Sequence, residues 1–185
     1  MKEEVKLLTS ISLFYNVGAG FLSPVYAIFV GNIGGTIVDA GISWAIYSIF
    51  LGILTIGIGR MEDHKLDKRK MVFFGYVFVA FCTLGYIIIQ SPWQLFLLQF
   101  LIGTGVAILT PAWYALFGIF EDDGLEASEW SFWSGGRNIA IGLAALFGGI
   151  LVNSFGWTFL FIVMFIFQIT AAFLALELFK EGNID

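Results

Sequence analysis

Six long apolar runs constrain this chain more than any other feature: residues 7–30, 40–58, 71–89, 95–120, 130–152 and 157–179. A helix rises about 1.5 Å per residue, so about 20 apolar residues cross a hydrocarbon core roughly 30 Å thick. Backbone N–H and C=O groups find no water there, so each run is expected to be helical. A β-barrel would need alternating segments of about ten residues, and stretches such as IFLGILTIGI do not alternate. Apolar residues make up 59% of the 185 and charged residues only 12%, with a mean hydropathy of +0.91, more apolar surface than a water-soluble core of this size can hide. The reading is a single all-α transmembrane domain, residues 1–185, with the lipid bilayer as its solvent. The first run is too long for a signal peptide and contains Pro24, so it reads as a retained first span.

Charge excludes several classes. The net charge of -5, with no basic stripe, leaves nucleic acid without a phosphate-binding face. The single cysteine, Cys82, offers neither a disulfide nor a thiolate metal site, and no cofactor or metal is expected. The chain carries no nucleotide-binding loop and no credible nucleophile–base pair, so an enzyme is the weakest reading.

Basic residues give the orientation. Lys2 and Lys6, then Arg60, Lys65, Lys68, Arg69 and Lys70, then Lys180, fall on one side of a six-crossing chain. Loops 31–39, 90–94 and 153–156 contain no Lys or Arg. The positive-inside rule puts both termini in the cytoplasm. Asp39, on the outer side, is expected to cap helix 2. Trp93, Trp130 and Trp157 stand near helix ends and fit interfacial anchoring.

The chain also repeats. An offset of 87 aligns Gly18 with Gly105, Pro24 with Pro111, Tyr26 with Trp113 and Gly31 with Gly118. An offset of 86 aligns Trp44, Tyr47 and Ser48 with Trp130, Trp133 and Ser134. The units, about 7–89 and 93–179, hold three helices each. An odd number inverts the second unit in the membrane, a pattern of secondary transporters. Pro24 and Pro111 are expected to break helices 1 and 4. Helices 3 and 6, apolar almost all round, are expected against lipid. Helices 1, 2, 4 and 5 carry most of the polar groups, and Asn16, Asn138, Tyr26, Trp113, Trp133 and Gln99 are candidates to line a substrate path.

Arg137 is the sharpest residue, about eight residues and so about 12 Å into helix 5 from Glu129. A charge at that depth costs a few kcal/mol and normally faces protein or water. Two readings stand: a group for an anionic substrate or a gate, or a snorkelling or statically paired cation with Asp63 or Glu126 as partner.

The loop GRMEDHKLDKRK supplies a helix-ending Gly59, Asp63, Asp67 and the basic pair Lys68 and Arg69. With the helix 1 segment SPVYAIFV and the helix 4 segment QFLIGTG, it resembles the major facilitator superfamily, whose members carry G-x-L-x-D-R-x-G-R-K/R between helices 2 and 3. Here His64, the only histidine, stands in place of the first Arg and Asp67 in place of the second Gly; Gln99 stands where helix 4 often has Arg. The resemblance implies one six-helix half of a twelve-helix transporter, built as two inverted three-helix repeats, with helices 1 and 4 central and Asp63 bracing a cytoplasmic gate. It implies secondary-active transport of a small solute by alternating access in a prokaryotic cell (inner) membrane. Six helices leave one flank open, which points to a homodimer. Half of a heterodimer, a split or partial chain, and a non-transporting scaffold remain open.

Overall fold

A computed structural model describes residues 1–180, the side chains of 61–65 excepted; Asp63 and His64 therefore lie outside the described residues. Helices α1 (Glu3–Gly20), α2 (Tyr26–Asn32), α3 (Ile37–Lys65), α4 (Lys68–Leu84), α5 (Pro92–Phe120) and α6 (Glu126–Ala175) follow in order, with short 3-10 turns at Ser23–Val25, Gly85–Ile87 and Leu176–Phe179. Five helical segments among the described residues are long and apolar enough to cross a membrane: Glu3–Asn32, Ile37–Arg60, Lys68–Ile87, Pro92–Phe120 and Glu126–Phe179. The last takes in the fifth and sixth apolar runs. It divides at Gly156, whose φ of 81° and ψ of 176° no continuing helix can hold. Only glycine adopts that backbone without strain. The turn expected over 153–156 is thus narrowed to one residue.

Local chemistry explains the other interruptions. Pro24 has no N–H and its ring disfavours the helical conformation of Ser23, so α1 stops at Gly20 and a 3-10 turn leads into α2. The Ser23 hydroxyl donates to the freed Gly20 carbonyl at 2.9 Å. The break expected at Pro111 is not there: α5 runs through it to Phe120. One proline removes one backbone hydrogen bond, and the turns on either side hold the spanning helix together. The α3 N-terminus is closed by a capping box. Thr36 Oγ1 accepts from the Asp39 N–H at 3.3 Å, and Asp39 Oδ2 accepts from the Thr36 N–H at 2.7 Å. Thr36 is the cap and Asp39 its partner.

Helix α1 packs on α6, and α5 packs on α3 and α4, while α4 also meets α6. Glycines set the close approaches. A Cβ on Gly18 would sit 2.9 Å from the Gln168 side chain, and one on Gly105 would sit 2.6 Å from Val79. A Cβ on Gly148 would collide with the Phe21 carbonyl. Small residues thus let backbones touch where lipid supplies no hydrophobic force between helices.

Burial departs from expectation. The third apolar run, α4, exposes Phe74, Phe78 and Phe81 as a lipid-facing helix would, yet it also buries Met71, Val72, Tyr76, Val79, Ala80 and Thr83. The second stretch of α6 buries Leu160, Phe161, Met164, Gln168 and Ala171. The least buried helix is α3: 6% of its most apolar stretch is buried, against 44% for α4 and 56% for α5. An apolar surface suits lipid and protein equally, so composition did not separate the two.

Candidate functional site

Two adjoining cavities, each about 390 Å³, lie along α1, α3 and α5. They share Tyr15, Ala19, Ser23, Trp44 and Tyr47 as a common wall. The first continues to Tyr26, Tyr86, Gln99 and Gln168, the second to Asn16, Trp113, Tyr114, Trp133 and Arg137.

The first cavity is organised by Gln99. Its Nε2 donates to the Tyr26 hydroxyl at 2.7 Å and to the Tyr86 hydroxyl at 3.1 Å. The Ser43 hydroxyl donates to the Ala40 carbonyl at 2.9 Å, which leaves its oxygen to accept from Tyr26 at 2.6 Å. The chain α5–α2–α3 is therefore tied by directed hydrogen bonds, each preventing a buried polar atom from going unsatisfied. Across the floor, the Thr83 hydroxyl donates to Gln168 Oε1 at 2.6 Å.

The second cavity is organised by Asn16, which is buried. Asn16 Nδ2 donates to the Ser12 carbonyl at 2.7 Å, and Arg137 Nε donates to Asn16 Oδ1 at 3.0 Å. Trp133 Nε1 donates to the Ser12 hydroxyl at 2.9 Å, and Trp113 Nε1 to the Leu8 carbonyl at 3.2 Å. The Trp113 and Trp133 rings lie 4.8 Å apart, and the Arg137 guanidinium stands 5.9 Å from the Trp133 ring centre. That places a cation beside the electron-rich face of an indole. Of the two static partners expected for Arg137, Glu126 accepts from the Gly124 N–H at 2.9 Å, and Asp63 lies outside the described residues.

The structure thus brings Asn16, Trp113, Trp133 and Arg137 to one wall, and Tyr26 and Gln99 to the other. Asn138 is exposed on α6 and lines neither cavity; one helical position turns it about 100° away from Arg137. Of the loop residues, Gly59 faces α5, where its Cβ would meet Pro111 at 3.8 Å. Asp67 caps α4, its Oδ1 accepting from the Arg69 N–H at 3.0 Å and the Lys70 N–H at 3.4 Å. Lys68 and Arg69 form the first turn of α4. Trp93 is 79% exposed. Trp130 and Trp157 differ: Trp130 donates to Glu121 at 2.7 Å and Trp157 packs on Phe29. Ser12, Tyr15, Tyr47, Thr83, Tyr86 and Gln168 were not anticipated. The lone amide of Gln168 in an apolar span was the available signal, because a polar group at that depth needs a partner.

The model of the Major Facilitator Superfamily matches residues 8–183. Quinolone resistance protein NorB of Staphylococcus aureus (strain bovine RF122 / ET3-1) is 26% identical over 133 residues, which are 72% of this chain and 28% of that protein. The NorB of strain Newman matches to the same extent. Among solved structures, the POT family transporter PepTSo superposes with a TM-score of 0.83 at 12% identity, covering 99% of this chain and 38% of that one. The chain therefore spans well under half the length of these relatives. With a family match that runs nearly end to end and a matching fold, the chain belongs to the major facilitator superfamily.

Proposed function

We propose that the chain is one half of a secondary-active transporter of a small solute, with the solute bound in the paired cavities between two such halves. The observation that carries this reading is the shared aromatic wall of Tyr15, Trp44 and Tyr47 between two cavities of about 390 Å³, a size that suits a small molecule. The names of the relatives, a quinolone resistance protein and a POT family transporter, agree with it.

The six-crossing, inverted-repeat organisation gains support from paired contacts. Gly18 of α1 admits the second stretch of α6 through Gln168 and Phe167, and its repeat mate Gly105 of α5 admits α4 through Val79 and Phe78. Tyr26 accepts from Gln99 of α5, and its repeat mate Trp113 donates to Leu8 of α1. The two glycine contacts are related by the repeat, the first apolar run meeting the sixth and the fourth meeting the third, which supports units 7–89 and 93–179. Cytoplasmic termini follow from the basic loops.

The second half is read as another copy of the chain. Exposed apolar surface on α3 and α6 is content in lipid, but Ser48 and Asn138 are exposed polar groups within the same spans. Polar groups at membrane depth face protein or water. A second copy would cover them and close the cavities, and rocking of the halves would give alternating access. Reconstituted liposomes tested with a panel of metabolites under pH and sodium gradients, alongside crosslinking in the bilayer, check this. Gradient-driven flux by a crosslinkable dimer is expected. A strict monomer that transports removes the dimer, a different six-helix chain in the complex replaces it with a heterodimer, and folded protein without flux leaves a scaffold.

A further inference from the structure

We propose that the solute is a compact aromatic organic anion, its carboxylate held by Arg137 and its ring stacked in the indole wall; this rests on the transporter reading above. The first support is the charge of the walls. Arg137 is the one Lys, Arg, Asp, Glu or His in the described lining of either cavity. A guanidinium presents a delocalised positive charge with donors in a rigid fork. In a low-dielectric setting a cation that no acid faces among the described residues favours an anionic occupant and disfavours a cationic one.

The second support is the way Asn16 holds it. With Nε committed to Asn16 Oδ1 at 3.0 Å, both Nη nitrogens are without a partner among the described residues. Those two form the end-on fork that meets the two oxygens of a carboxylate in parallel. Asn16 is itself fixed by Ser12, so the arm is braced from behind. Of the 14 acids, only Glu177 falls within an apolar run, so a second copy brings little acid to membrane depth to face the fork.

The third support is the shape around the fork. Trp113, Trp133 and Tyr114 stand on the same wall, with the two indoles 4.8 Å apart and tilted by 34°. Trp44, Tyr15 and Tyr47 line it from α3 and α1. Such rings favour offset or edge contacts with a flat aromatic guest.

The test uses the purified chain in lipid nanodiscs with tritiated 1-naphthoate, competed by unlabelled 1-naphthoate, 1-naphthamide and 1-naphthylmethylammonium. These probes share a ring and differ in charge. Saturable naphthoate binding is expected, with the amide at least about tenfold weaker as a competitor and the ammonium weaker still, the scale of a charge-assisted pair. Arg137→Gln should abolish that ranking. Arg137→Lys, which keeps the charge and loses the fork, should keep the anion preference at reduced affinity, and it serves if the glutamine variant fails to fold. Equal competition by the three probes, or an unchanged ranking in Arg137→Gln, overturns the proposal. Absence of naphthoate binding overturns it too: flux of a neutral or cationic solute in the liposome panel would then leave the transporter reading standing, and absence of all flux would remove both.

Discussion

Arg137 Nε on α6 donates to Asn16 Oδ1 on α1 across 3.0 Å, joining the one charged residue in the described lining of the cavities to a buried amide on another helix. The bond sets which edge of the guanidinium remains available. Losing either partner should alter the other's role. In a double-mutant cycle, Asn16→Ala and Arg137→Gln should therefore be non-additive in probe binding, with a coupling of about 0.5–3 kcal/mol. Additive losses, read by the same competition assay, would mean that the bond does not orient the arginine.

Gln99 makes a second test. It bonds both Tyr26 and Tyr86, and all three side chains face the first cavity. Gln99→Leu leaves two hydroxyls short of a donor, and a buried polar atom left unsatisfied costs about 1–3 kcal/mol. A lower thermal midpoint in detergent is expected, together with weaker solute affinity. Thr83→Val, which strands Gln168 Oε1, should lower the midpoint on a similar scale.

Neighbouring glycines separate packing from propensity. A Cβ at Gly148 would strike the Phe21 carbonyl, whereas one at Gly149 meets nothing within 4 Å. Both are helical, so the propensity gain from alanine is alike. Gly148→Ala should lose folded yield or drop the thermal midpoint sharply, because backbone cannot step aside as a side chain can. Gly149→Ala should be neutral or mildly stabilising. Size-exclusion profiles and thermal melts of the pair decide it.

These residues also mark what the sequence made legible. The apolar runs were readable because membrane thickness fixes their length, and Arg137 because a charge at depth is rare. The prolines looked alike, yet only Pro24 interrupts its helix. The exposure of α3 and the burial of α4 were hidden, since lipid and core accept the same side chains. Gln99 was noticed as a departure from a family pattern; its partners Tyr26 and Tyr86, on other helices, could be found only in space.

Asp67 gives the pH dependence. Partial burial pushes its carboxyl upward, but Lys70, whose Nζ stands 3.2 Å away, and the α4 N–H groups outweigh that and hold it below its ordinary value. A group with a lowered folded pKa stabilises above its unfolded value and loses that contribution as pH falls through the folded one. Amide exchange in the first turn of α4 should be slow near neutral pH and accelerate, relative to intrinsic rates, below the usual aspartate range of about 4. Asp67→Asn, which keeps much of the cap but not the charge, should flatten that dependence; Asp67→Ala should remove the cap at a cost of about 1 kcal/mol.

Gly156 carries the topology. Its φ of 81° divides the 54-residue span Glu126–Phe179 into two stretches, 30 and 23 residues on either side counted from 126 to 155 and 157 to 179. At about 1.5 Å per residue each is long enough to cross a core of roughly 30 Å, whereas the undivided span would be far too long for one crossing. Reporters inserted after Gly34 and after Gly156 should therefore lie outside the cell, and reporters after Lys70 and after Gly124 inside. If the Gly156 and Gly124 reporters share a compartment, α6 does not cross twice, the second unit loses its third crossing, and the inverted repeat fails with it.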